Sequence, residues 1–406
     1  MLLQEGIKNN YVIPTEYTRK LTIDGHTDSY QVYKIRLDQL YYNDQNDRIA
    51  TWISKYKADK NIDKVDVHDT HYNDVIEQFI YESNPKAIEK TKNNIDLTGQ
   101  REPGVVLNDG RVVDGNRRFT CLRKLEKENA ETQYFEAVIL ERDIDNSEKE
   151  IKLLELYIQH GEEGKIDYNP IDKLVGLYKD VVKNNLITID EYCKSTNESK
   201  ASVNKKIEQA KLMVEFLEFI NAEEQFYIAR DLELDGPLGE IPSILNKAKT
   251  DDEKEDLKLI IFSNLAMKPQ GDVTRFVRKM KHIVDSEHHG EFIEEQMGYV
   301  EKTAEKIEGV PEINSKFINQ QLRTDDDLKQ AMKLSVEKYE LKAKKDTTKL
   351  KPIEDLRKCK IIIESVDKRI VDTFDVDEKE QLEQLITESK DLLEALSSEL
   401  KEKNIL

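Results

Sequence analysis

The densest chemistry in the sequence lies between Gly104 and Leu125. There Gly104-Val105-Val106-Leu107, Asn108-Asp109-Gly110 and Arg111-Val112-Val113 run directly into Asp114-Gly115-Asn116-Arg117-Arg118. Two short apolar runs around Asn-Asp-Gly predict a hairpin. Phe119, Leu122 and Leu125 then predict a helix opening near Arg118. Gly115 lets the backbone approach a bound group closely. Backbone N–H groups at the start of a helix point outward, and the helix dipole favours negative charge there. Arg117 and Arg118 add two guanidinium forks suited to phosphate oxygens. The chemistry is phosphate binding in outline. The same residues are also compatible with a plain turn whose arginines pair with Asp109 and Asp114.

The stretch Gly99–Leu125 resembles the core of ParB/sulfiredoxin-type domains, in which a strand pair precedes a Gly-x-Arg-Arg box that binds the triphosphate of a nucleotide, usually CTP. Gly115, Asn116, Arg117 and Arg118 fall on that box, with Asn116 where the family usually has Glu. Upstream, Lys34–Arg48 resembles the family's opening strand and Asn-rich loop, with Arg48 as its closing arginine and an insertion following at about Ala50–Tyr81. Downstream, Leu156–Leu174 resembles the segment that joins the two ParB domains. Gln159 and Asn169-Pro170 match it, whereas Leu156, Tyr157 and His160 replace the Glu, Asn and Arg that in the family help bind metal and phosphates and support hydrolysis. Glu155, Glu162 and Glu163 stand nearby. The resemblance therefore implies a nucleoside triphosphate ligand, CTP or ATP, carried with Mg²⁺, and leaves hydrolysis undecided. Sulfiredoxin-like reduction is not expected, because Asn116 and Arg117 stand where that chemistry places Cys and His.

The third resembling segment is Ile187–Leu217, where ParB proteins carry a helix-turn-helix. Thr188-Ile189-Asp190-Glu191 is a capping box, the turn is expected at Ser195–Glu198, and Ser199 can cap a second helix with apolar Val203, Ile207, Ala210, Val214 and Leu217. Lys200, Lys205, Lys206 and Lys211, with Ser202, would contact phosphates, while Asn204 and Gln209 would reach base edges from the major groove. Read without the resemblance, these are two core helices with a solvated lysine face.

Other constellations are weaker. Gly161-Glu162-Glu163-Gly164-Lys165 is too short for a phosphate-binding loop of the Gly-x4-Gly-Lys type. His68 and His71 with Asp66 and Asp69 have no third cluster beside them, so no metal site is expected. Arg275, Arg278, Lys279 and Lys281 form a second basic stripe that either extends a DNA surface or faces solvent.

The elements that must position these groups follow from pattern. Residues 1–30 read as a lead-in arm or short strands, Gln31–Leu40 as a strand entering a turn, 74–81 and 85–95 as helical, and Tyr134–Leu140 as a strand. Beyond Glu148 nearly everything has helical spacing. Lys342–Lys351 reads as a basic linker. Ile353, Leu356, Ile363 and Ile370, then Leu382, Ile386, Leu393, Leu396 and Leu400, mark two amphipathic helices, either a hairpin or a coiled-coil seam. The fold class expected is an α+β ParB/sulfiredoxin-like domain (1–145), a helix-turn-helix domain (146–225), a helical domain (226–345) and a helical tail (346–406), with the resemblance carrying no reading of residues 221–406.

The 406 residues carry 63 Lys and Arg against 82 Asp and Glu, a net charge of −19. Spread evenly, that charge would repel nucleic acid, so DNA contact must use local basic patches. Three separated cysteines fit a reducing compartment and no disulfide framework. No apolar run reaches a membrane span, and the first residues lack a signal-peptide pattern. The expectation is a cytoplasmic, nucleoid-associated homodimer on double-stranded DNA, gated by nucleotide. The alternatives are a ParB/sulfiredoxin-fold enzyme (nucleotidase, nuclease or small-molecule kinase) in phage defence, and a scaffold whose box binds nothing.

Overall fold

The computed structural model describes residues 3–402 except 24–25, 63–64, 142–143, 162–168 and 311–312, and within its elements the side chains at 4, 144–147, 159–161, 346–350 and 402 lie outside the description. The chain divides into two units, Met1–Leu341 and Lys342–Leu406.

The first unit opens with a mixed six-stranded sheet. Its strands are β1 (Val12–Ile23), β2 (His26–Arg36), β3 (Tyr41–Tyr42), β4 (Gly104–Leu107), β5 (Arg111–Asp114) and β6 (Tyr134–Leu140), in the spatial order β1-β2-β6-β4-β5-β3. β4–β6 and β3–β5 are parallel pairs and the other neighbours are antiparallel. β1 and β2 pair antiparallel, so of the arm or short strands expected for residues 1–30 it is strands that form, and they are long. Half of β1 is exposed with no regular alternation, so it carries little of the pattern that marks a strand in sequence.

Side chains alternate between two cores, as the two-residue strand period requires. Ile35, Val106, Val112, Phe135 and Ala137 face one core, covered by α1 (Ala50–Lys60), α2 (Thr70–Ser83), α3 (Pro85–Thr98) and α4 (Asn116–Asn129). Val32, Val105, Leu107, Val113, Val138 and Leu140 face the other, covered by Ile151, Leu154 and Ile158 of α5 (Ile144–Gly161). A mixed sheet with helices followed by an all-helical region is the α+β class expected.

The remaining helices of this unit are α6 (Pro170–Leu177), continued by a π-helical turn at Tyr178–Lys183, then α7 (Ile189–Thr196), α8 (Lys200–Phe219), α9 (Phe226–Asp231), α10 (Asp235–Leu245), α11 (Asp251–Met267), α12 (Val273–Val284), α13 (His289–Ile307), α14 (Ser315–Gln320) and the first part of α15 (Asp326–Glu364). One apolar core runs from Ile171 to Tyr339 and passes through residue 225, where the sequence suggested a boundary. Leu212, Met213, Phe216 and Leu217 place the second half of α8 inside that core.

The segment read as an insertion, 50–81, joins the two parts of the unit. Arg230 donates to Thr51 Oγ1 (2.6 Å) and its guanidinium lies 4.2 Å over the Trp52 ring. Thr51 N–H donates to Asp172 Oδ1 (3.2 Å), and Ser54 Oγ donates to the Glu224 carbonyl (2.7 Å). Ala50 enters the helical core itself.

The second unit holds the end of α15, then α16 (Lys368–Val371) and α17 (Val376–Glu402). No described helix is long and apolar enough to cross a membrane.

Candidate phosphate cleft and helix-turn-helix

The Asn108-Asp109-Gly110 hairpin forms as its sequence requires, with Gly110 at φ +97°. Asp109 accepts from the Tyr41 hydroxyl (2.6 Å) and from Arg111 N–H (3.0 Å), so it pairs with neither box arginine. β5 ends at Asp114 and α4 begins at Asn116. Between them Gly115 turns the chain at φ +97°. A Cβ there would lie 2.8 Å from Phe135 Cζ, so both conformation and space require glycine.

Asp114 Oδ2 accepts from Arg19 Nη1 (3.1 Å) and from Arg118 Nη2 (3.4 Å), and Arg19 also donates to the Pro103 carbonyl (2.6 Å). Arg118 is thereby steered by the residue just before the turn. Asn116 is buried, and its Oδ1 has no hydrogen-bond partner among the described residues; neither does the buried Nε of Arg118. Buried polar atoms are rarely left so.

These residues line a cleft of about 540 Å³. Gly115, Asn116, Arg117 and Arg118 form one wall, and Arg48, nearly seventy positions earlier in the chain, lines it too. Arg48 sits in a 3₁₀ turn, Asp47–Ile49, whose cap is Asn46: Asn46 Oδ1 accepts from Arg48 N–H (3.0 Å). The sequence reading missed the opposite wall, which is Thr91, Asn94, Ile95 and Thr98 of α3 with Arg101 and Glu102. Their helical spacing puts all four α3 residues on one face, and that was the signal available. Four arginines against Asp114 and Glu102 make the cleft basic in a chain of net charge −19. Chemically it can bind an anion with several oxygens through guanidinium forks and the N-terminus of α4.

Of the α5 residues, the Gln159 side chain lies outside the described residues, as do residues 162 and 163. Leu156 is buried against Leu177, Ile187, Tyr192 and Val203, where it ties α5 to the next helices. That packing accounts for an apolar residue at this position. Glu155 is buried near Lys152 (3.8 Å). Tyr157 is exposed.

Thr188 caps α7 with the full reciprocal capping box: Glu191 N–H donates to Thr188 Oγ1 (3.2 Å) and Thr188 N–H donates to Glu191 Oε2 (2.9 Å). Lys149 adds an ion pair to Glu191 (2.7 Å), and these partners hold its carboxyl down at about 2. Asn197, left-handed at φ 55°, ends α7, and Ser199 caps α8 by accepting from Ser202 N–H (3.2 Å). The pair is a helix-turn-helix in arrangement, with Val203, Ala210 and Leu217 buried.

On the α8 surface, Asn204 and Lys205 are exposed, and Lys205 makes no ion pair among the described residues. Lys200 pairs with Asp190 (2.9 Å) and Lys206 with Glu198 (2.6 Å). Ser202 Oγ also donates to Glu198 (2.9 Å). Gln209 is half-buried with its amide nitrogen against Gly239 of α10. In the second basic stripe, Arg278 pairs with Glu240 (2.6 Å) and Arg275 with Asp272 (3.1 Å). His68 packs edge-on against Tyr41 with ring centroids 4.4 Å apart.

No protein-family model matches this chain, and comparison with curated proteins gives no match.

Proposed function

We propose that this is a nucleotide-responsive DNA-binding protein of the ParB type, which holds a nucleoside triphosphate in the Arg48/Arg117/Arg118 cleft and engages duplex DNA through α8. The observation that carries the reading is the convergence of Arg48 with Gly115, Asn116, Arg117 and Arg118 on one basic cleft containing unpartnered Asn116 Oδ1 and Arg118 Nε. The donor set fits a polyphosphate: guanidinium forks, a helix N-terminus and a glycine that removes the Cβ. The carboxylates fit a protein-held cation poorly, since Asp114 is already shared by Arg19 and Arg118. Mg²⁺ would then arrive with the phosphates, as it commonly does. When bound it would supply charge neutralisation between phosphate oxygens.

Calorimetric titration with CTP and ATP, each with and without Mg²⁺, tests the cleft. Saturable binding of a triphosphate by the wild-type chain, and its loss in Arg117→Ala/Arg118→Ala with the fold intact, is expected. Wild-type protein that binds neither nucleotide, or a double variant that binds as wild type does, overturns the assignment. Release of inorganic phosphate from the bound nucleotide would move the protein to the enzyme reading.

A further inference from the structure

The β1–β2 hairpin brings an arginine to the back of the cleft. Val32–Arg36 of β2 pair with β6, whereas His26–Gln31 pair with β1 alone. The β1–β2 register slips between Pro14 and Thr18, an irregularity of the kind that bends a strand. Past that slip Leu21 and Ile23 are buried in one core with Val105 and Val113, so the end of the hairpin packs on the strands that lead into the phosphate box. Strand alternation puts Arg19 on the same face as Leu21 and Ile23.

The Arg19 side chain is only 11% exposed, and its Nη1 serves two acceptors, the Pro103 carbonyl (2.6 Å) and Asp114 Oδ2 (3.1 Å). Pro103 follows Arg101 and Glu102 of one cleft wall, and Asp114 ends β5 at the Gly115 turn of the other. Arg19 itself is not one of the residues lining the cleft. Asp114 is the carboxylate that enters the Gly115-Asn116-Arg117-Arg118 turn. Left to Arg118 alone, it would close on that guanidinium, occupy donors that a phosphate needs and set a negative charge beside an anion site. Arg19 takes the same Oδ2 at the shorter distance. Arg118 Nη2 stays 3.4 Å from it, at the weak end of hydrogen bonding, and Arg118 Nε has no partner among the described residues.

We propose, on the nucleotide reading of the cleft, that Arg19 is a positioning residue: it neutralises Asp114 from behind and so leaves the Arg118 fork open to a phosphate. It touches no ligand and acts only through the carboxylate.

A double-mutant cycle with Asp114→Asn tests this, read by calorimetric titration of CTP and ATP with Mg²⁺ into the full chain. Arg19→Met should weaken binding on the order of 10-fold, the effect of one uncompensated charge close to the site. In the Asp114→Asn background the same substitution should cost less than about twofold, because no carboxylate remains to engage Arg118. A residue that only held the hairpin in place would cost the same in both backgrounds. Arg19→Gln, which can still donate to the Pro103 carbonyl, should repeat the pattern and replaces Arg19→Met if that variant does not fold. An Arg19 variant that binds as wild type does, or an equal loss in both backgrounds, overturns the positioning role and leaves the cleft assignment standing. Wild-type protein that binds neither nucleotide removes the cleft assignment, and the role of Arg19 with it.

Discussion

Lys152 Nζ lies 2.8 Å from Asp47 Oδ1, and that buried ion pair ties the turn carrying Arg48 to α5. The same ammonium is 3.1 Å from Asp180 Oδ2 and 3.8 Å from Glu155 Oε2. The Asp180 carbonyl in turn accepts from the N–H groups of Leu186 (2.8 Å) and Ile187 (3.2 Å), immediately before the Thr188 cap. Gly176 of α6 permits the contact, since a Cβ there would fall 2.4 Å from Asp47 Cγ. Three carboxylates hold Lys152 protonated well above the ordinary lysine range, against the opposing effect of burial.

Removing that cation leaves three carboxylates buried without their common partner. Lys152→Met should therefore lower folding stability by about 3–5 kcal/mol, the cost of breaking a buried pair on one side. Urea denaturation checks it. A variant with a wild-type midpoint would show that water reaches the cluster and supports it.

One ammonium cannot offset three carboxylates, and burial pushes Asp180 up to about 6. Burial does the same to Asp172, despite its hydrogen bonds from Thr51. A carboxyl whose folded pKa exceeds its unfolded value favours folding in its protonated form. Its contribution is complete below about pH 4 and is lost as pH rises through about 6. Asp180→Asn deletes that loss. Relative to wild type, the variant should gain stability between pH 4.5 and pH 7, as read from paired denaturation midpoints. A variant that instead falls further behind as pH rises would refute the raised pKa.

The hairpin turn at Gly110, the turn at Gly115 and the cap that opens α7 were legible because local rules fix them. Asn-Asp-Gly needs a left-handed turn at Gly110, Gly115 must escape its Cβ, and the Thr188/Glu191 box caps any helix it opens. The α3 wall of the cleft was not legible. Thr91, Asn94 and Thr98 are ordinary polar helix residues until the tertiary fold turns them toward Gly115. At 225, α8 looks in sequence like the end of a small domain, while its second half packs in a core assembled from helices up to α15. Residues 1–30 could be read as an arm or as short strands alike, because the half-exposed β1 carries little two-residue alternation. Leu156 appeared as a lost ligand in sequence and is a packing residue in the fold.

Gly115→Ala tests how tightly the turn is specified. The left-handed conformation costs a non-glycine residue about 1–2 kcal/mol, and the Cβ would meet the Phe135 ring at 2.8 Å. The variant should lose about 2–4 kcal/mol of stability, since overpacking adds a further one or more. Thermal unfolding of the two proteins side by side decides it. An unchanged midpoint would mean that β6 yields to the methyl group.

The nucleotide reading predicts a graded loss. Each charge-assisted contact is worth roughly 1.5–3 kcal/mol, so Arg117→Ala/Arg118→Ala should weaken triphosphate binding on the order of 100-fold or more. Arg118 also pairs with Asp114, so its removal should cost up to about 1 kcal/mol of stability. Affinity and unfolding midpoint, measured on the same preparations, separate the two effects.

The α8 surface gives the DNA prediction its shape. Lys205 and Asn204 face solvent, but Lys200 and Lys206 are engaged by Asp190 and Glu198. If all three lysines reach phosphates, counterion release implies a log–log salt slope of roughly −3. The ion pairs must open for that to happen, so the acids act as local competitors of the DNA backbone. Asp190→Asn and Glu198→Gln should therefore strengthen duplex binding at every sequence, while Lys205→Glu should weaken it equally at every sequence, because phosphate contacts carry no base information. Asn204→Ala should instead relax preference at a single base pair, by about 1–3 kcal/mol if its amide is bidentate to a base. Gln209, seated against Gly239, should have a smaller effect than Asn204 on base preference. Titrations at low salt with random and chosen duplexes, with and without triphosphate, supply the readout. Binding that falls when Asp190 or Glu198 is neutralised, or no binding to any duplex, would remove α8 as the DNA-contacting helix.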